Sequence, residues 1–355
     1  MRFARILFSD KKNRIFLLIY HLTFSYIAWR ILLIKKGDAF NYWFVGKDLS
    51  QVSWANFLNS GTDIIKLFTF PLVKYLHLPF WSGFVIFSLI GFTGLLLFRS
   101  WASAFVGSSR LALFLFHCIL FLPGLHFWTS VPGKEPIIFL SFVVLVRAVT
   151  CQRISLPSVA AFIALLLIRP HFAVIFSIAL VASLLLRKEV TLRLRIIAIT
   201  SLFIVIGLAY SLLIKLQDFS GGFLAAIHRK LEVHIQHMKT TDAYVPLDEY
   251  SLPLKLFTFW FRPLPGEHSG ITYTVFSLEN FLLLLLFSVA LLIVIKKIKK
   301  ISIDFPSLFI LVFALLYSLV FVFAYANYGI IYRTKIMVLP FVAVLAVRVI
   351  RCVRH

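Results

Sequence analysis

Long apolar runs, separated by short polar and basic segments, extend along almost the whole chain. The runs lack the residue-by-residue alternation of membrane β-barrel strands, so the pattern predicts α-helices. Several runs are shorter than the ~20 residues of a straight membrane span, which is tolerated where other helices shield the ends. We predict ten apolar helical segments, at residues 15–34, 79–98, 111–127, 136–150, 156–168, 172–186, 196–214, 279–295, 306–325 and 336–350.

Composition indicates that lipid surrounds most of this chain. Apolar residues make up 61% and charged residues only 14% of the 355 positions, and the mean hydropathy is +0.96. A soluble domain carries about 25% charged residues. In lipid the backbone polar groups must be satisfied inside helices. The predicted fold class is therefore all-α: a polytopic transmembrane bundle of about ten segments, forming one integral membrane domain over 1–355.

The basic excess predicts the orientation. If the N-terminus is inside, the six predicted inner segments carry 20 Lys and Arg residues and three acidic residues. The rest of the chain carries 16 Lys and Arg residues and 11 acidic residues. Positive residues concentrate on the cytoplasmic side of membrane proteins. The net charge of +22 is thus interpreted as a topology signal with both termini cytoplasmic, and not as a nucleic-acid surface. Two long outer segments, 35–78 and 215–278, hold most of the acids, which places any chemistry on the outer face.

One part of this topology has two interpretations. Arg169-Pro170 interrupts residues 156–186, which form either two helices or one kinked helix. A single helix would reverse everything downstream and place the basic cluster at 296–300 outside. The positive-inside bias favours two helices.

Candidate functional residues lie at the predicted outer ends of the apolar segments. Asp38 follows the first segment, where a carboxylate could deprotonate a hydroxyl or bind a divalent metal. Lys134 could meet a lipid phosphate, and Glu135 either positions it or simply favours a helix N-terminus. Arg169 and His171 stand between two apolar runs, where ionisable side chains usually have a function; the alternative for Arg169 is snorkelling to the interface.

Two further stretches carry polar side chains near the C-terminal half. "FWFRPLPGEHSG" contributes Arg262, Glu267 and His268, which could form a lid or simply a rim loop. "YANYGIIYRTK" contributes Asn327, Tyr332, Arg333 and Lys335. Its basic residues oppose the positive-inside rule, which suggests either an anionic partner or neutralisation by outer acids such as Glu135. Four basic residues could converge on a phosphate or diphosphate: Lys134, Arg169, Arg262 and Arg333.

Taken in order, these motifs resemble the bacterial polytopic proteins of polysaccharide gene clusters, GT-C-type glycosyltransferases and EpsG-like or Wzy-like polymerases. The resemblance rests on Asp38 with Tyr42, "P…FW…KE" from Pro123 to Glu135, Arg169-Pro170, "FRPLPGE…LEN" from Arg262 to Asn280, and "N-G…YR…LP" from Asn327 to Pro340. GT-C proteins typically pair two acids in the first outer loop, whereas the next acid after Asp38 is Asp48.

The resemblance implies a hexosyltransferase-type enzyme of the bacterial inner membrane. Its donor would be a polyprenyl-(di)phosphate-linked sugar, its acceptor a glycan hydroxyl, and its surroundings membrane lipid, with no nucleic acid. By resemblance, Asp38 would be the catalytic base; Lys134, Arg169 and Arg333 would bind phosphate; Arg262 and Glu267 would form a lid. No cofactor is implied with certainty, although a divalent metal is possible. Two rival functions are a lipid-linked-oligosaccharide flippase or other carrier, and a non-catalytic scaffold of a polysaccharide complex.

Overall fold

The computed structural model describes residues 10–187, 190–214, 223–297 and 302–352 of the 355. Within these ranges the secondary structure is helical, with one isolated bridge between Tyr244 and Asn327 and no strand. The all-helical prediction is therefore confirmed. The predicted cytoplasmic ends of the chain, and parts of the predicted segments 187–195, 215–278 and 296–305, lie outside the described residues.

Internal contacts divide the chain into two compact units. The first comprises Met1–Ala104, Leu120–Ala148 and Ile154–Ile168. Its helices, in whole or for the most part, are α1 (Asp10–Lys35), α2 (Asp38–Tyr42), α3 (Thr62–Lys74), α4 (Phe80–Val106), α6 (Pro123–Trp128), α7 (Lys134–Cys151) and α8 (Leu156–Ile168).

Close approach of helix to loop holds the first unit together. A Cβ built on Gly91 of α4 would overlap the backbone carbonyl of Thr129, so only glycine fits this contact. Ala39 of α2 packs in one buried cluster with Phe127 and Val131, which come from the segment ahead of α7. This packing brings the short helix that carries Asp38 close to the start of α7.

The second unit comprises Phe105–Ile119, Val149–Arg153 and Arg169–His355. Its helices are α5 (Arg110–Leu120), α9 (Pro170–Leu185), α10 (Leu192–Ile214), α11 (Phe223–Lys239), α12 (Leu252–Phe261), α13 (Ile271–Lys297), α14 (Phe305–Phe321), α15 (Tyr328–Lys335) and α16 (Leu339–Cys352).

Aromatic rings form much of the core of the second unit. Phe172 of α9 contacts Phe313 and Tyr317 of α14 with ring centroids 5.3 and 5.2 Å apart. The Tyr317 hydroxyl then donates to the carbonyl of Thr334, 3.2 Å away on α15. Because aromatic pairs at these distances add directional attraction to burial, the row ties α9, α14 and α15 together.

Among the residues that the structure describes, four helices are long and apolar enough to cross a membrane, and a fifth span arises if one bent pair is counted. The bent pair is Tyr328–Lys335 with Leu339–Arg351, at an angle of 60°. In Leu192–Leu212 only 6% of the most apolar window is buried within the protein, so this apolar surface needs lipid or another apolar partner. These helices support a membrane protein, while the number of ten spans stays a prediction.

Each predicted apolar segment coincides with helix in the structure, with two informative breaks. The prediction of two helices within 156–186 is confirmed, since α8 ends at Ile168 and α9 begins at Pro170. The apolar segment predicted at 111–127 contains two helices, because α5 ends at Leu120 and α6 begins at Pro123. Proline lacks an N–H and disfavours helix in the residue before it, so it starts a new helix there.

Candidate functional site

Arg262 is held in place just after α12. Its Nε donates to both carboxylate oxygens of Glu267 at 2.8 and 2.9 Å, and its Nη1 donates to the Tyr250 hydroxyl at 3.3 Å. The guanidinium carbon lies 5.8 Å from the ring of Tyr250 and 5.9 Å from that of Tyr328. The hydrogen bonds with Glu267 raise the pKa of Arg262, so its positive charge is permanent. The result is a fixed cation between two aromatic rings.

The local sequence explains why the loop folds back on Arg262. The Glu267 carboxylate accepts from the backbone N–H of Leu264 at 2.7 Å, and the Glu267 N–H donates to the carbonyl of Leu264 at 3.1 Å. Gly266 has φ +89°, which a residue with a side chain rarely adopts. The turn therefore needs the glycine, and it directs the carboxylate toward the guanidinium.

Asn327 joins a second loop to the same region. Its Oδ1 accepts from the backbone N–H of Gly329 at 2.8 Å, which caps α15, and its Nδ2 donates to Oγ1 of Thr241 at 2.8 Å. The backbone N–H of Tyr328 donates to the carbonyl of Ala243 at 2.9 Å. These bonds fix Tyr328, one of the two rings beside Arg262.

His268 completes this loop cluster. Its Nε2 lies 3.1 Å from the carbonyl of Asp242, and its Nδ1 lies 2.8 Å from the carbonyl of Ser269. Its ring centroid is 4.0 Å from that of Tyr273 and 6.3 Å from that of Tyr328. The imidazole thus stands beside the same tyrosine that flanks the Arg262 guanidinium.

Lys335 supports the site from inside the protein. It is fully buried, and its Nζ donates to the carbonyl of Trp260 at 2.9 Å and to that of Arg262 at 3.3 Å. A cation at the carbonyl end of α12 is favoured by the helix dipole, and the buried carboxyl of Glu279 adds electrostatic attraction. The sequence suggested an anionic partner for Lys335, whereas the structure places it on backbone carbonyls near Glu279.

Buried polar atoms without partners surround this support. The hydroxyl of Tyr332 is buried beneath the ring of Phe276, which stacks on it at 3.9 Å and 7°, and it has no hydrogen-bond partner in the described part of the chain. Oδ1 of Asn280 and Oγ1 of Thr258 are likewise buried without a hydrogen-bond partner among the described residues. Nδ2 of Asn280 donates to the carbonyl of Pro263 at 2.9 Å. Most buried polar atoms in proteins bond to protein or ordered water, so these three are exceptional within the described residues.

We call this cluster in the second unit the tyrosine–arginine site. It brings together five residues predicted from the sequence: Arg262, Glu267, His268, Asn327 and Tyr332. Sequence reasoning passed over Tyr250 and Glu279. Glu279 left a signal, since an acid inside an apolar run is costly without a partner; Tyr250 left none.

Three further predicted residues of the second unit lie on or next to α9 and α15. Arg169 is buried and immediately precedes α9. His171 is exposed, with its ring 5.6 Å from that of Phe321. Arg333 is half-buried on α15, between Tyr332 and Lys335 of the tyrosine–arginine site.

The remaining predicted residues belong to the first unit. Asp38 is exposed on α2, Lys134 is half-buried and Glu135 is buried at the start of α7. A Cβ built on Gly133 would lie 3.2 Å from Oε2 of Glu135 and 3.5 Å from the ring of Tyr42, so α2 and the start of α7 are neighbours. The fold therefore brings near to each other the two sequence motifs that carry Asp38 and Lys134-Glu135.

The described residues offer no ligand set for a metal ion. No group of three or more His, Cys, Asp or Glu side chains there is arranged to hold a metal ion.

Comparisons of the chain with protein-family models, with curated proteins and with solved structures find no match.

Proposed function

We propose that this protein is a membrane glycosyltransferase or repeat-unit polymerase. It transfers sugar from a polyprenyl-(di)phosphate carrier to a glycan hydroxyl at the outer face of the bacterial inner membrane, in envelope or exopolysaccharide assembly. The observation that carries the proposal is the Arg262 guanidinium, fixed by Glu267 between the rings of Tyr250 and Tyr328.

A fixed guanidinium beside aromatic rings suits a sugar linked to phosphate. Arginine has five N–H donors in a planar fork, and here Glu267 and Tyr250 engage Nε and Nη1. The Nη2 group remains for the oxygens of a phosphate, which arginine binds through paired hydrogen bonds. Tyrosine rings present apolar faces with a polar end, which match the faces and hydroxyls of a sugar.

The remaining roles follow from the resemblance to GT-C-like and polymerase families. Asp38 acts as the base that deprotonates the acceptor hydroxyl. Lys134, Arg169 and Arg333 are, by the same resemblance, phosphate-binding residues. A donor enters from the bilayer, which agrees with polar side chains at the ends of helices that carry apolar, lipid-compatible surface.

The test is complementation of a deletion strain with single variants. Arg262→Gln, Asp38→Ala and Arg333→Ala should each abolish polymer and accumulate lipid-linked precursor at normal protein levels. The matched control is Arg348→Gln, which breaks another short arginine–carboxylate pair, in which Nη1 of Arg348 lies 2.6 Å from Oδ2 of Asp304. If polymer is unchanged in all three site variants, or equally reduced in the control, the proposal fails.

A carrier for lipid-linked sugar is a second candidate, favoured by one observation. Glu279 is buried within the apolar helix α13 and Lys335 is buried on α15, and buried ionisable residues in membrane proteins often lie on transport paths. Purified protein in vesicles separates the two functions. A carrier moves a fluorescent lipid-linked sugar between leaflets without an acceptor, whereas a transferase consumes it only when an acceptor glycan is present.

A further inference from the structure

Two fully buried histidines of the first unit meet end to end. His21 lies on α1 and His126 on α6, and their Nδ1 atoms are 3.1 Å apart. The other nitrogen of each ring faces a backbone carbonyl: Nε2 of His21 lies 3.0 Å from the carbonyl of Ser88, and Nε2 of His126 lies 2.9 Å from that of Leu120. All four ring nitrogens therefore take part in one unbroken series of three contacts between two backbone carbonyls.

The number of protons in this chain follows from its ends. A carbonyl oxygen accepts and never donates, so each Nε2 must carry a hydrogen to bond to its carbonyl. A neutral imidazole has a single N–H, which each ring would then use at Nε2. Both Nδ1 atoms would face each other with lone pairs at 3.1 Å. A third hydrogen between the two Nδ1 atoms turns this repulsion into a hydrogen bond and gives the pair one positive charge.

The ring orientations support the same count. Turning either imidazole over would place carbon atoms at its contacts and lose the hydrogen bonds that the present orientation makes on both sides. Moving a proton from one Nε2 to Nδ1 does not help, because that Nε2 lone pair would then point at a carbonyl oxygen about 3 Å away. Every neutral arrangement thus leaves one of the three contacts without a proton.

Aromatic rings surround the pair and can stabilise a cation. The ring of Phe121 stacks on His126 at 13° with centroids 6.1 Å apart, and the ring of Phe92 is 6.1 Å from that of His21. In the described part of the chain, the titratable side chain in ring contact with His126, besides His21, is Tyr20, whose ring stands edge-on at 4.7 Å. Its hydroxyl donates to the carbonyl of Phe121, so it does not compete for the imidazole nitrogens.

A metal ion is a poorer occupant than a proton. Zinc sites use four ligands, or three with an open position. In the ranges that the structure describes, no third His, Cys, Asp or Glu side chain joins these two histidines. The 3.1 Å separation is instead that of an N–H···N hydrogen bond.

We propose that His21 and His126 form a buried proton-binding site that holds one shared proton between their Nδ1 atoms. The ligand is the proton itself, and the site joins α1, α4 and α6 of the first unit through one charged hydrogen-bonded chain. Burial opposes a charge at this site, so the three hydrogen bonds of the chain must offset the cost of desolvation. The site is independent of the proposed transferase function.

Nitrogen NMR of the full-length protein in lipid bilayers tests this directly. The chain has ten histidines, and selective 15N-histidine labelling reports the protonation of each ring nitrogen. At pH 7 we expect one histidine pair with three protonated nitrogens among its four, and a 15N–15N coupling across the Nδ1–H···Nδ1 bond. The coupling identifies the pair in the unaltered protein, so the test does not depend on a variant that folds.

Substitution assigns the signals. His21→Gln and His126→Gln should each remove the coupling and the shared proton, leaving the surviving histidine neutral. The control His117→Gln, whose Nδ1 lies 2.6 Å from the carbonyl of Leu113, should leave both unchanged. Two protonated nitrogens in the pair at pH 7, or a coupling that is absent in the unaltered protein, would overturn the proposal.

Discussion

The Arg262–Glu267 pair offers a quantitative test of the tyrosine–arginine site. Exposed ion pairs contribute about 0.2–1 kcal/mol. Here the side chains are only 20% and 25% exposed, and the Arg262 Nε hydrogen bonds to both carboxylate oxygens at 2.8 and 2.9 Å. Charge-assisted bonds of this length are roughly twice as strong as neutral ones, so we expect a coupling free energy of about 1–2 kcal/mol.

A double-mutant cycle isolates that coupling. Arg262→Gln, Glu267→Gln and the double variant remove each charge, while a glutamine at 267 can still accept from the N–H of Leu264. Hydrogen exchange of the backbone amides of Leu264, Gly266 and Glu267 reports local opening of the loop. Restoring the pair should slow exchange by about 5–30-fold beyond the additive effect of the single variants.

A longer ion pair in the same unit is the control. Lys239 and Asp248 are 3.9 Å apart, with side chains 40% and 53% exposed. Their cycle should show less than about 0.3 kcal/mol, since such pairs are screened and mobile. If the Arg262–Glu267 coupling is no larger than this, the guanidinium is not fixed by the carboxylate and the site argument loses its basis.

Three further predictions follow from other parts of the structure. Gly91→Ala should lower the free energy of unfolding in detergent by about 1–3 kcal/mol or abolish folding, because its Cβ would overlap a backbone carbonyl. The control Gly207→Ala places a Cβ with nothing within 4 Å and should raise the free energy of unfolding by about 0.5–1 kcal/mol. Equal effects of the two variants would contradict the packing around Gly91. Partial burial tends to raise the pKa of Asp304, but hydrogen bonds from Arg348 and the first turn of α14 outweigh it and leave the pKa lowered. Asp304→Asn should therefore cost about 1 kcal/mol or less at pH 7, and the difference from the wild type should vanish as the pH falls below about 3.9; a difference that persists at low pH would contradict the ion-pair interpretation. Tyr332→Phe should leave stability unchanged or raise it, because the buried hydroxyl has no partner among the described residues, while sugar transfer falls; a large loss of stability would show that the hydroxyl is bonded within the protein.

Local pattern determined the helices and their apolar character. The runs of apolar residues predicted the helical segments because a helix forms from neighbours in sequence, and proline explains the breaks before Pro123 and at Pro170. Hydropathy alone runs through Pro123, because the surrounding residues are almost all apolar, whereas the missing N–H of proline places the break there. Arg262, Glu267 and His268 could likewise be named as candidates from one short stretch of sequence, as a lid or a rim loop.

Partners distant in the chain were decided by tertiary packing alone. Lys335 reaches carbonyls more than seventy residues away, and His21 meets His126 across 105 residues. Periodicity and charge runs describe neighbours in the sequence, so they do not show which distant residues form such pairs. The sequence by itself thus determined an all-helical chain suited to lipid and the types of residue at its polar ends. The tertiary structure decided which of them share a site, since the cost of burying a polar group is met only by the partner that packing places beside it.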